Sequence, residues 1–137
     1  MSGRSRTSEC GVVEARSRLR AARAYLEIAE LVLEEPESEE FLNVSAGLAV
    51  LAGIAASDAI CCRRLKLRHR GDNHHGAAEL LKEATPGQNQ VANQLRQLLD
   101  LKDEAHYGVM LIAVGKARDA LKWASRLVAR AQEEVER

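Results

Sequence analysis

The stretch Val44 to Cys62, VSAGLAVLAGIAASDAICC, constrains the fold more than any other part of the chain. It is apolar nearly all round from Val44 to Ile60, and a helix without a polar face must be surrounded by other elements. It is nearly long enough to span a bilayer. Ser45, Ser57 and Asp58 interrupt it, however, and Ala and Gly dominate it, so the buried central helix of a bundle is the better account. Ala49, Gly53 and Ser57 recur at intervals of four, a stripe of small side chains that lets a second backbone approach closely. That stripe predicts either a tight crossing inside the bundle or a contact between two copies of the chain.

The flanking sequence supplies the surrounding helices. From Gly11 to Glu35, Leu19, Ala22, Leu26, Ala29 and Leu33 keep the three-and-four spacing of one helix face, with Arg16, Arg20, Arg23, Glu27 and Glu30 on the others. Pro36 ends this helix, and Ser38 with Glu39 and Glu40 opens the second, which runs without a breaker to about Leu67. A short third helix carries Ala77, Leu80, Leu81 and Ala84. The segment TPGQ then predicts a capping box for a fourth helix, with Thr85 as cap and Pro86 in the first turn. Val91, Leu95 and Leu98 face inward in that helix, which ends near Tyr107 with Gly108 as a left-handed terminator. The run VMLIAVG is the only strand-like one and has no partner, so it is expected to be an extended connection. From Lys116 to the end, Ala117, Leu121, Ala124, Val128, Ala131 and Val135 repeat like heptads.

The expected architecture is therefore all-α, an up-down bundle of four main helices plus one short helix. Residues 11–137 form its single domain and residues 1–10 a loose polar tail. Aromatic residues are only 3% of the chain against 46% hydrophobic, so the core must be aliphatic, which suits helices. Twenty basic residues balance twenty acidic ones, which leaves a local patch as the only way to attract a polyanion. Three cysteines, two of them adjacent, give no conventional disulfide framework, and the N-terminus has no apolar leader. Buried thiols and a reducing cytoplasm are expected.

The stretch CCRRLKLRHRGDNHHGAAELL, Cys61 to Leu81, gathers the residues that suggest chemistry. Cys61 and Cys62 are adjacent, as are His74 and His75, and adjacent helical residues point about 100° apart. Neither pair chelates easily, so no metal site and no cofactor is expected. Arg63, Arg64, Lys66, Arg68 and Arg70 complement the negative end of the second helix, yet five cations with no acid between them are also a phosphate-contacting patch. With no interleaved aromatic residues, such a patch would bind by charge and not by base stacking. His74 and His75 open the third helix, where an imidazole can cap, pack or act as a base. Asp58, deep in the apolar helix, is either a satisfied structural group or a functional carboxylate. Lys102 and His106 lie four apart, hence on one helix face, an arrangement that can support metal-free acid-base cleavage of RNA.

The acidic residue within ASDAICCRRL, the turn leading to NHHGAAELL, and the later LLDLKDEAHYG followed by a closing amphipathic helix together resemble the HEPN-domain family. The resemblance spans about residues 13–135. It implies an all-helical bundle that often dimerises, found among RNA-cleaving proteins, toxin–antitoxin pairs and defence systems. It also implies that a partner such as a nucleotidyltransferase-type antitoxin is conceivable. His106 matches the histidine of the family's Arg-x4-6-His motif, and Tyr107 lies near a tyrosine seen in one branch. The arginine position of the motif falls on Leu101, with Lys102 beside it in a displaced register. Many such domains lack the motif and serve for binding or dimerisation.

Two functions follow as expectations. One is RNA association, with Asp58, Lys102, His106 and Tyr107 as a working or remnant ribonuclease site. The other is a non-catalytic dimerising module that uses the small-residue stripe or the closing helix.

Overall fold

The structure is a computed structural model that describes residues 6–35, 38–71, 73–108 and 111–137. It is an all-α bundle. Among these residues run five helices, α1 (Val12–Glu34), α2 (Glu40–Leu65), α3 (His74–Ala84), α4 (Asn89–Tyr107) and α5 (Val114–Val135), with two short strands, β1 (Thr7–Glu9) and β2 (Leu67–His69). Pro36, on which the first helix was expected to end, lies outside the described residues, as do two residues of the VMLIAVG connection.

α2 is the centre, as its apolar circumference requires. It packs against α1, α5, α4, α3 and β2, and its residues from Ala55 to Cys62 are all buried. It is, among the described helices, the one long and apolar enough to cross a membrane, but 78% of its most apolar window is covered by the rest of the chain. The core is aliphatic: Ile60, Leu81, Leu95, Leu98 and Leu127 are among its largest fully buried side chains, set among many alanines.

The small-residue stripe is a crossing within the chain. Ala49, Gly53 and Ser57 are all buried. A Cβ on Gly53 would stand 2.4 Å from Leu98 Cδ1 of α4 and 3.4 Å from Leu127 Cδ1 of α5. The glycine is there because two neighbouring helices occupy its side-chain space. The closing helix likewise turns its apolar face, from Ala117 to Val135, into the core.

Residues 6–10 are not a loose tail. β1 pairs antiparallel with β2 in the register Thr7↔His69, Ser8↔Arg68, Glu9↔Leu67, and Arg70 N donates to Arg6 O at the end of the ladder. The basic run therefore contains a strand as well as a helix end. α2 stops because Lys66 adopts a left-handed conformation (φ 59°) and returns its N–H to Cys62 O. A two-residue-period pattern in segments of three residues is too short to be read from sequence.

The strand pairing brings Cys10 beside the last turn of α2, where its N–H donates to Lys66 O at 3.0 Å. Cys10 and Cys62 form a disulfide, with Cα atoms 5.3 Å apart. This corrects the expectation that the cysteines of the central helix are buried thiols and that the three cysteines form no disulfide, and it removes the ground on which a reducing compartment was inferred, since such bridges persist in oxidising surroundings. Cys61 alone remains a buried thiol.

Two caps also differ from expectation. Thr85 closes α3 instead of opening α4: its Oγ1 donates to Leu81 O at 2.8 Å and its backbone N–H bonds the last turn. Gln88 precedes α4, which begins at Asn89. Gly108 follows α4 in an extended conformation (φ −67°), not a left-handed one. A glycine is needed there because a Cβ would lie 2.6 Å from Glu104 O.

Candidate functional site

The residues singled out in the sequence fall at three separate places. The first is a cavity of about 350 Å³ between α1, α2, β2 and α4. Ser57, Asp58 and Cys61 of α2 line it, with Arg18 of α1, Arg68 and His69 of β2, and Arg70 just beyond. Ile54, Ala77, Leu95 and Leu99 form its apolar wall.

Asp58 is 7% exposed and accepts a hydrogen bond from Arg18 Nε at 3.1 Å. Burial pushes its carboxyl above the usual range, while the charges of Arg18 and Arg68 and the Arg18 hydrogen bond pull it down. Arg18 was absent from the sequence expectation. The signal was its spacing, three residues after Ala15 and four before Ala22, both fully buried, which places it on the inward face of α1.

The guanidinium groups of Arg68 and Arg70 have no ion-pair partner within 4.0 Å among the described residues. His69, between them, has both ring nitrogens shielded from water and without a hydrogen-bond partner. Desolvation pushes its pKa below the ordinary histidine value. The Gly71 backbone opposes that shift without reaching hydrogen-bonding geometry, and His74 adds to it. Burial, with the charge of Asp58 next, pushes the Cys61 thiol up to about 12, against a hydrogen bond from Ser57. A thiol so held is no nucleophile at neutral pH.

The second place is the end of α4. His106 Nε2 lies 3.3 Å from Gly47 O of α2, and its ring meets the Tyr107 ring edge-on at 5.9 Å. Tyr107 is 79% exposed. Lys102 sits one turn back, half-buried, and Leu101, at the position of the motif's arginine, is buried in the core. Gly47, which touches His106, precedes Asp58 by eleven residues, about 16 Å along α2 at the rise of an α-helix. Asp58 and the Lys102–His106–Tyr107 group are thus two sites and not one. Beside His106 opens an apolar groove of about 540 Å³ that includes Val44, Leu48, Leu51 and Leu111.

The third is the far end of α5, where Glu134, 1% exposed, takes Arg64 Nη1 at 3.2 Å and Arg130 Nε at 2.9 Å. Arg130 also bonds Gln88. Arg64 therefore leaves the expected phosphate patch for a structural ion pair. Lys66 is exposed and caps α2, and Arg63 is half-exposed in the last turn. Of the five basic residues only Arg68 and Arg70 face the cavity. His74 and His75 form the first turn of α3, where Asn73 Oδ1 accepts from Gly76 N, and neither lines that cavity.

No group of three or more His, Cys, Asp and Glu side chains placed to hold a metal ion occurs among the described residues. No protein-family model and no curated protein sequence matches the chain.

Proposed function

We propose that this protein is a HEPN-like helical bundle that associates with RNA through phosphate contacts at the Arg18–Arg68–Arg70 cavity. The observation that carries this reading is that three arginines, from α1, β2 and the turn after it, line one cavity whose lining holds a single carboxylate. Arginine is the side chain best matched to phosphate oxygens, and a group of them that outnumbers its carboxylates attracts a polyanion. The cytoplasm belongs to the same proposal as the compartment where RNA is met. There Cys10 and Cys62 would stand as thiols, and the strand hydrogen bonds alone would hold β1.

The separation of Asp58 from Lys102 and His106 weighs against cleavage by one chain acting alone. If the protein is a ribonuclease, two copies must bring their α4 ends together. The test is retention and cleavage of labelled RNA by EDTA-treated protein at low salt, for the wild type, Arg68→Ala/Arg70→Ala and His106→Ala. Retention that falls with salt and is lost in the arginine variant supports the proposal, and retention unchanged in that variant removes it. Cleavage lost in His106→Ala adds ribonuclease activity to it.

A second reading is a non-catalytic module that dimerises. What favours it is the groove beside His106, bordered by Val44 and Leu111, 47% and 51% exposed, next to the exposed Tyr107. A mass in solution that stays monomeric at high concentration would end it.

A further inference from the structure

We infer that the Asp58 cavity takes a phosphomonoester, the phosphorylated end of an RNA chain or a free mononucleotide, in preference to the internal phosphates of a strand. The inference rests on the proposed RNA association for its physiological ligand, but the pocket itself is argued from its own construction.

The cavity is closed behind. Leu95 and Leu99 are 1% and 4% exposed and belong to the core, and with Ile54 and Ala77 they wall off the inner side. A chain end needs room on one side of its phosphate only, whereas an internal phosphate must place a nucleotide on each side, which suits a cavity backed by the core less well. The volume, about 350 Å³, lies at the small end of the range of about 300–1,000 Å³ that holds single small molecules.

The charge also favours an end. Arg18, Arg68 and Arg70 against Asp58 leave two uncompensated positive charges around the cavity. A phosphomonoester carries about 1.5 to 2 negative charges near pH 7, whereas an internal diester carries one. The first matches the excess and the second leaves part of it unmet.

The hydrogen-bonding capacity fits as well. Arg18 spends Nε on Asp58, which fixes the plane of its guanidinium and leaves both Nη groups without a hydrogen-bond partner among the described residues. His69 lines the same cavity with two shielded and unpartnered ring nitrogens. Those nitrogens are closed to water, so the bonds to an entering oxyanion come from the arginines and not from the imidazole. The apolar wall formed by Ile54, Leu95 and Leu99 is left for the sugar or base behind the phosphate.

The test uses the full chain and one short single-stranded RNA prepared with a 5′-phosphate, with a 3′-phosphate and with hydroxyl ends, together with AMP and inorganic phosphate. Anisotropy should show a phosphorylated end binding roughly tenfold tighter than the hydroxyl-ended strand, the value of one added charge-assisted contact. Which of the two ends is preferred identifies the source of the phosphate. Arg70→Gln, at an exposed position that leaves the core intact, should erase the difference. Equal affinity for all three strands overturns the inference while leaving RNA association in place. Calorimetric binding of AMP that Arg70→Gln abolishes, with no RNA bound in any form, supports the pocket and removes the RNA reading. Absence of every one of these interactions overturns both.

Discussion

Arg18 Nε and Asp58 Oδ2 stand 3.1 Å apart across forty residues of sequence, and they join the inward face of α1 to the buried carboxylate of the central helix. The pair is lopsided, since Asp58 is nearly buried while Arg18 keeps about a third of its side chain in solvent. Water therefore stabilises the arginine freely and the carboxylate hardly at all. That asymmetry explains why desolvation outweighs the attraction of Arg18 and raises the Asp58 carboxyl above 3.8.

A pH dependence follows from the sign of that shift. The folded state holds the Asp58 proton more tightly than the unfolded state, so its contribution is fully present below the ordinary carboxylate value and is lost as pH rises through the raised one. Compared with Asp58→Asn, which cannot titrate, the wild type should lose melting temperature between about pH 3 and pH 7, within the range where carboxylates ionise. Thermal denaturation of both proteins across that range is the check. A wild type that gains on the variant as pH rises would mean that Arg18 dominates and that the site is better solvated than the structure has it.

Two glycines of α2 should respond oppositely to alanine. At Gly53 the added methyl meets Leu98, which is fully buried and has nowhere to move, and overpacking of this kind costs about 1–3 kcal/mol. At Gly47 the methyl meets the His106 ring at 2.7 Å, but that ring is exposed at the end of α4 and can swing away. The gain in helix propensity, about 1 kcal/mol, then offsets the lost contact. Urea unfolding should find Gly53→Ala clearly destabilised and Gly47→Ala near the wild type or above it. A Gly47→Ala protein as unstable as Gly53→Ala would show that His106 is fixed in place.

The cysteines allow a count. In the folded, oxidised protein neither the Cys10–Cys62 bridge nor the Cys61 thiol should react with iodoacetamide at neutral pH, since a thiol pushed up to about 12 supplies almost no thiolate. Unfolding should expose one reactive thiol and reduction three. The bridge closes a loop of 52 residues, for which chain entropy gives about 4 kcal/mol. Cys10→Ser should lower the unfolding free energy toward that amount. Labelling of more than one thiol in unfolded, unreduced protein would mean that the bridge does not form.

How far the sequence led can be judged from particular residues. The bundle was legible because Val44 to Ile60 has no polar face and because Leu19, Ala22 and Ala29 repeat at helical spacing, both strong local signals. The strand pair was not, since Thr7–Glu9 and Leu67–His69 are too short to show a period and lie far apart in the sequence, on either side of α1 and α2. The disulfide depends on that pairing and was hidden with it. At the candidate site, Asp58, Arg68 and Arg70 stood out, but Arg18 was passed over among the arginines of α1. The union of Asp58 with His106 failed for a geometric reason: order along the chain says nothing of distance along a shared helix neighbour. Leu101 shows the limit of motif matching, because a position that a motif would give to arginine is here part of the core.

Glu134 was overlooked for a related reason, and it supports the sharpest stability prediction. Three residues after the buried Ala131, it lies on the inward side of α5, and an ionised carboxylate there must be compensated. Arg130 supplies the shorter contact, through both Nε and Nη2 to Oε2 at 2.9 Å, and ties the end of α5 to Gln88 ahead of α4. Arg64, at 3.2 Å, ties it to the last turn of α2. Arg130→Met keeps the apolar stem and removes the charge, so the carboxylate loses its closer partner without a cavity opening. The cost should be about 2 kcal/mol, the scale of a charge-assisted hydrogen bond. Arg64→Met should cost less alone, because its side chain is more exposed and its contact longer. The double variant should lose more than the two single losses combined, since Glu134 would then keep only Arg137 at 3.9 Å. Urea denaturation of the four proteins measures that coupling, and strict additivity would show that the two arginines act on Glu134 independently.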